Sequence, residues 1–369
     1  MYNRGMKKDG SGNQMENDKK TGFGKLTRRE FMAGTAAAGA ALFLGGIGRA
    51  SEGFTVGATA EPAADAAAHV GIFKMPEGAK QIRILQFTDT HIHYVSKNIP
   101  TEPDRVKMIK QITDIIKPDM IANTGDFWAT NNGGQGNTYC KWACMEFVKL
   151  NTPWAFAWGN HDESSDYAKA HAILEQAPNS MYKGALSDGN YTIEVRAADG
   201  SGPLLNLIFL NDVPNGFTDA GGVKWFENEA ARIKAAYKTP PPALLFFHIP
   251  LPQYMRIPAA KDARGVMLER ICHENGSEKA LKAFKKSGFV RACFCGHDHT
   301  NDCYGTVEGI RLQYSRAFGG YGADKVRKGA TLLTVDLSTA AIDSKSVFAD
   351  GTSWTPVPFT TQRPEGTIY

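Results

Sequence analysis

The chain has 369 residues, 42% of them hydrophobic and 10% aromatic, which is enough apolar mass for a large core and argues against disorder. Its net charge of +4 is unevenly spread: residues 1–50 hold nine Lys/Arg against four Asp/Glu, so the remaining residues carry −1. The basic balance therefore belongs to the leader, and composition gives no support to a nucleic-acid partner.

The leader, residues 1–50, places Arg28 and Arg29 ahead of a weakly apolar, Ala- and Gly-rich stretch from Phe31 to Ile47. A polar segment, a paired arginine and a short apolar segment resemble a bacterial signal peptide of the twin-arginine type. Small residues offer cleavage after Ala50 or after Ala60. An uncleaved membrane anchor is the rival reading, but the stretch falls short of the ~20 strongly apolar residues a span needs. The resemblance implies engagement of the twin-arginine export machinery, export by a bacterium to the periplasm, cell envelope or exterior, and no stable membrane span after cleavage. Substrates of that machinery cross already folded, often with a cofactor in place, so metal loading before export fits. Residues 51–78 have no apolar period and read as a flexible linker; the folded domain is expected over 79–350, followed by a C-terminal tail, 351–369.

Strand and helix patterns alternate from Lys80 onward. Ile82 to Phe87 reads as a strand, and Val106, Ile109, Ile112, Ile115 and Ile116 fall at helical spacing. "PDMIANTGD" is a second strand, "YCKWACMEFVKL" a second helix and "PWAFAWGNHD" a third strand. That order implies parallel pairing through right-handed crossovers. Further strands are expected at 191–195, 204–210, 243–247, 290–294, 310–314 and 331–335.

Polar groups recur just past the carboxyl ends of these strands, the edge where open α/β sheets bind ligands. They are D-x-H (Asp89, His91), G-D (Asp126), G-N-H-D (Asn160, His161, Asp162), F-F-H (His248) and G-H-D-H (His297, His299). If these segments are extended, residues i and i+2 lie on one side, pairing Asp89 with His91 and His297 with His299. Taken singly, each is also consistent with a solvated turn. Carboxylates, imidazoles and an amide oxygen suit Fe, Mn or Zn. Seven such groups are too many for one tetrahedral zinc and suit two divalent or trivalent ions bridged by oxygen.

In order and spacing these five segments resemble the calcineurin-type metallophosphoesterases, over roughly 82–337, and "FFHIPLPQY…CGHDHTND…GGYG" is most similar to the purple acid phosphatase-like branch. The resemblance implies an α/β fold, a four-layer α-β-β-α sandwich of two mixed sheets flanked by helices. It also implies that Asp89, His91 and His299 hold one metal, that Asn160, His248 and His297 hold the other, that Asp126 bridges them and that His161 faces substrate. The implied activity is hydrolysis of small-molecule phosphate monoesters or diesters by in-line attack of a metal-bridging hydroxide, with His161 protonating the leaving alkoxide. Asp162 is then expected to orient His161, while Asp298 and Asp302 support ligand histidines. The alternative is a catalytically retired metal-binding protein of the cell envelope with the same fold.

The chain departs from true purple acid phosphatases at two places. His91 replaces the glycine of their D-x-G, and Ala129 stands where their tyrosine ligand falls, so a colourless protein is expected. His93 and Arg316 are weaker site candidates, the latter more in keeping with a structural ion pair. The mixed segment 252–278 is expected to cap the substrate pocket. Of six cysteines, Cys272 and Cys303 are the one suspected bridge, and buried free thiols are expected for the others.

Overall fold

The computed structural model describes residues 68–92, 102–213, 217, 221–274, 276–319 and 326–362. The leader, residues 51–67 of the expected linker, His93 and residues 320–322 of the "GGYG" run lie outside them.

In chain order the first half contains β1 (Val70–Lys74), β2 (Gln81–Phe87), α1 (Glu102–Ile116), β3 (Met120–Thr124), α2 (Gly136–Val148), β4 (Trp154–Ala157), α3 (Tyr167–Gln176), β5 (Tyr191–Arg196) and β6 (Pro203–Phe209). The second half contains α4 (Gly222–Ala236), β7 (Ala243–Phe246), β8 (Arg264–Val266), α5 (Ala280–Ser287), β9 (Val290–Cys295), β10 (Asp302–Val307), β11 (Ile310–Tyr314), β12 (Ala330–Asp336), β13 (Ile342–Val347) and β14 (Ser353–Trp354). Six strands form one sheet, β14-β13-β12-β2-β3-β4, and eight form the other, β1-β5-β6-β7-β9-β11-β10-β8. Both are mixed: β2, β3 and β4 run parallel as expected, while β12 lies antiparallel to β2.

Alternation along the strands separates the two faces of the larger sheet. Leu207 and Phe209 of β6, Leu244 and Phe246 of β7, and Ala292 and Phe294 of β9 join one core with Ile84 and Phe87 of β2. Their neighbours Ile208, Leu245 and Cys293 point the other way, onto Phe226 and Ile233 of α4 and Phe284 of α5. A period of two thus buries both faces at once. Register places Tyr191, Phe209, Phe246 and Phe294 directly opposite one another, and their rings stack at 5.0, 5.0 and 5.1 Å across four strands. On the smaller sheet, Phe87 packs edge-on against Phe147 of α2. In α1, Ile109 and Ile112 are buried but Ile115 is half exposed, so the apolar stripe is narrower than its sequence implied.

Three boundaries differ from expectation. Strand β1 lies inside the stretch read as linker, because Val70–Lys74 add to the edge of the larger sheet beside β5. The expected tail is likewise attached: β14 pairs with β13, Trp354 is buried, and Pro358 and Thr360 bridge to Arg264 and Val266. The segment after His248 forms a short 3-10 stretch, Pro252–Ala259, and strand β8, which extends the larger sheet beside β10. Its continuation docks on the 298–301 loop through backbone amides: Leu268 and Glu269 donate to Asn301, and Cys272 donates to Asp298. All six cysteines are free, so Cys272 and Cys303 are unbridged; Cys272 is exposed and Cys303 is buried. No helix among the described residues is long and apolar enough to cross a membrane.

Phe246 lies in the middle of the ring stack with no exposed surface. Phe246→Ala is expected to lower the unfolding free energy by about 3–5 kcal/mol, measured by denaturant titration.

Candidate metal centre

Every predicted strand-end group lies where the two sheets meet. Parallel neighbours β2, β3 and β4 deliver Asp89, Asp126 and Asn160, and parallel neighbours β7 and β9 deliver His248 and His297, each two or three residues past its strand. The local backbone is not extended, which corrects the alternation expected there. Asp89 (φ 55°), His91 (φ 43°), Asp126 (φ 50°) and His297 (φ 71°) are all left-handed. Such a conformation costs a non-glycine residue about 1–2 kcal/mol and persists only where surroundings over-determine it.

Those surroundings are hydrogen bonds between adjacent loops. The Asp89 amide donates to Gly125 O (3.0 Å) and the His91 amide to Asp126 O (2.8 Å). Arg105 of α1 donates to the carbonyls of Thr90 (2.7 Å) and His91 (3.1 Å). Glycine is required where loops touch: a Cβ on Gly125 would lie 2.6 Å from the His248 ring, and one on Gly296 would lie 1.8 Å from Thr88 Oγ1.

The two oxygens of Asp126 face different partners. Oδ2 is 3.6 Å from His91 Nε2, and Oδ1 is 3.3 Å from His248 Nε2. On one side, ligand atoms of Asp89, His91, Asp126 and His299 all lie within 4.8 Å of one another, with His299 Nε2 3.2 Å from Asp89 Oδ1. On the other, His248 Nε2 is 3.1 Å from Asn160 Oδ1 and 3.3 Å from His297 Nδ1. The adjacent histidines of G-H-D-H therefore diverge: His299 joins Asp89 and His297 joins His248. Seven side chains form two groups that share one carboxylate.

Burial decides the charges. Desolvation holds His91 and His297 down to about 4, leaving neutral imidazoles with a lone pair to offer. Burial also pushes on Asp126 and Asp89, but His248 overcomes it for the first and His299 for the second, so both carboxyls stay below their ordinary range. His248 Nδ1 donates to Thr124 O at 2.8 Å, which turns Nε2 toward Asp126 and Asn160. His91 Nε2 is buried without a hydrogen-bond partner. Converging lone pairs of this kind, oxygen and imidazole together, fit cations.

Other predicted residues have different partners. His161 is exposed beside the centre, its ring 5.3 Å from that of His91 and its amide donating to Asp126 Oδ1 at 2.8 Å. Asp162 accepts from the amides of Phe127 (2.8 Å), Trp128 (3.0 Å) and Gly159 (2.8 Å). It fixes the turns that carry Asp126 and Asn160 rather than the His161 ring. Asp298 accepts from Tyr314 Oη at 2.5 Å and from the Cys272 amide, and Asp302 pairs with Arg316 at 2.8 Å and Ser346 at 2.5 Å. Both carboxylates brace the loop and its flanking strands, and Arg316 is a buried cation paired with one of them. Sequence reasoning missed Asp212, which is buried, accepts from the Ile249 amide at 2.7 Å behind His248, and is pushed up to about 7 by burial. Its signal was present: "ND" also falls just past a strand end, that of β6.

A cleft of about 500 Å³ opens from the Asn160 turn, walled by Trp158, Tyr167 and His171 with Glu163 and Asp188 at its border. His171 Nδ1 lies 2.6 Å from Tyr182 Oη, which also accepts from Trp158 Nε1 at 2.9 Å.

Residues 82–301, more than half of the chain, match the family described as calcineurin-like phosphoesterase. The chain belongs to that family. Calcineurin-like phosphoesterases are hydrolases of phosphate esters that depend on two metal ions, in keeping with the paired grouping around Asp126. An Arabidopsis thaliana protein named "Probable inactive purple acid phosphatase 29" is 27% identical over 60% of this chain and 65% of its own length. "Phosphatase DCR2" of Saccharomyces cerevisiae is 24% identical over 54% of this chain and 39% of its own. The chain thus spans less than two thirds of either relative. Among solved structures, a dimetal phosphatase from Danio rerio shares the fold with a TM-score of 0.51 at 12% identity, covering 74% of this chain and 98% of that one.

In this member of the family, burial lowers His171 from 6.5 to about 4, against the opposing Asp188 charge. Below pH 6.5 the unfolded chain takes up a proton that the folded chain refuses, so this group's contribution to stability is lost as pH falls from 6.5 toward 4. The difference in unfolding free energy between wild type and His171→Phe should therefore shrink across that window, as read from urea midpoints at successive pH values.

Proposed function

We propose that the chain is an exported phosphoesterase that hydrolyses small phosphate monoesters or diesters at a centre of two metal ions. The observation that carries this reading is Asp126, whose two oxygens face separate sets of lone pairs drawn from both sheets. Asp89, His91 and His299 would hold one ion, Asn160, His248 and His297 the other, and Asp126 both. Ions of the Fe, Mn or Zn type supply, when bound, a grip on phosphate oxygens and a water acidified toward neutral pH. The chain's own residues do the rest. His248 gives its Nδ1 proton to Thr124 O, which aims Nε2 at Asn160 and Asp126, where it would meet an ion. Asp162, through three backbone amides, holds the Asp126 and Asn160 turns at fixed separation. His161, exposed at the mouth, is placed to give a proton to the ester oxygen that leaves with the alcohol.

Export rests on the leader, where Arg28-Arg29 precede the apolar stretch. The word "inactive" in the Arabidopsis relative's name belongs to that protein. A retired, metal-holding envelope protein is the second reading, favoured by that name and opposed by the complete set of seven groups with His161 beside them.

Elemental analysis of reconstituted protein should give two ions per chain, and para-nitrophenyl phosphate or its bis-ester should be hydrolysed with added Mn, Fe or Zn. His161→Ala should keep both ions and lose activity by about 10²–10⁴-fold. Two bound ions with no turnover of either ester would favour the retired protein, and fewer than two would sink both readings. Ala129 offers no phenolate, so iron-loaded protein should show no purple absorption band.

A further inference from the structure

The cleft beside the centre is built for one side of the substrate. Gly159 and Asn160 line it, and Asn160 Oδ1 is 3.1 Å from His248 Nε2, so the cleft begins at a member of the centre. Its wall is aromatic and concave: the Trp158 ring meets Tyr167 at 52° (5.6 Å) and His171 at 60° (4.9 Å). Rings tilted in this way form a corner, not the parallel pair of planes that sandwiches a flat base. Trp158 is fully buried behind the wall, held there by its bond to Tyr182 Oη, so half-exposed Tyr167 and partly buried His171 present the ring surface.

Charge narrows the choice further. Among the described residues lining the cleft there is no lysine or arginine, whereas Glu163 and Asp188 are exposed carboxylates. Burial keeps His171 neutral, so it adds no opposing charge. A second anionic group on the substrate would meet no cationic side chain among those residues. A concave aromatic corner edged by negative charge matches a bulky, weakly hydrated cation, which interacts with ring faces and loses little solvation on entry. A compact primary ammonium gives up more hydration for the same contacts.

We propose that this cleft is a subsite for a quaternary ammonium group on the leaving alcohol, so that choline-type phosphate esters are preferred substrates. The proposal rests on the phosphoesterase reading for its catalytic arm but not for its binding arm.

The test compares phosphocholine with its uncharged isostere, 3,3-dimethylbutyl phosphate, on metal-loaded protein. The ratio of kcat/KM for the two should favour the cation by about tenfold, the scale of a cation–π contact reinforced by a carboxylate. Asp188→Asn and Tyr167→Ala should each pull that ratio toward one; Asn tolerates the left-handed backbone at 188 (φ 50°), so the first change spares the fold. Equal rates on both esters in the wild type overturn the subsite and leave the hydrolase standing. If neither ester nor para-nitrophenyl phosphate is turned over, the hydrolase reading fails, and choline binding followed by tryptophan fluorescence decides the subsite alone. Saturable quenching that weakens in both variants supports it; no saturable quenching, or quenching that neither variant alters, rejects it.

Discussion

The centre depends on a single buried carboxylate made to serve two sides. Asp126 is 1% exposed, and an ionised group so placed costs several kcal/mol unless it is paired and hydrogen-bonded. Its partners come from opposite halves of the fold: His91 follows β2 of the smaller sheet, His248 follows β7 of the larger. Around it the backbone is held left-handed at four polar residues, a local cost that neighbouring loops offset by hydrogen-bonding one another. Remove the acid and the imidazoles would face each other with nothing between them to balance.

Much of the support is backbone rather than side chain. Three amide donors converge on Asp162, and amides of 268, 269 and 272 converge on Asp298 and Asn301. This explains why acidic residues next to ligands need not act on them. Asp162 follows His161, yet its carboxylate points inward to close the turns, while His161 stays exposed. Aspartates flanking His299 in sequence are likewise spent on Tyr314, Arg316 and Ser346.

How far this could be read in advance follows from what each signal is made of. Strands β2, β3, β4, β6, β7 and β9 announce themselves as apolar runs closed by a polar group, so the edge bearing the centre was legible, as were all seven candidate ligands. Strand β10 ("DCYGTV") and β13 ("IDSKSV") carry too many polar residues to show a clean period, and β1 adds to an edge from a stretch of Ala, Gly and Pro. Left-handed angles at non-glycine residues leave no trace in composition. The cleft was illegible for another reason: Trp158, His171 and Asp188 approach from separate segments, and only the folded chain makes them neighbours.

The ring stack has a bearing on the centre that neither feature reveals alone. Tyr191, Phe209, Phe246 and Phe294 fill the gap between the layers, and Asp89, Asp126 and Asn160 hang from one layer while His248 and His297 hang from the other. The aromatic filling therefore acts as a shim whose thickness sets how far apart the jaws of the centre stand. The spacing between the two groups of polar side chains is then partly a property of hydrocarbon packing remote from either of them.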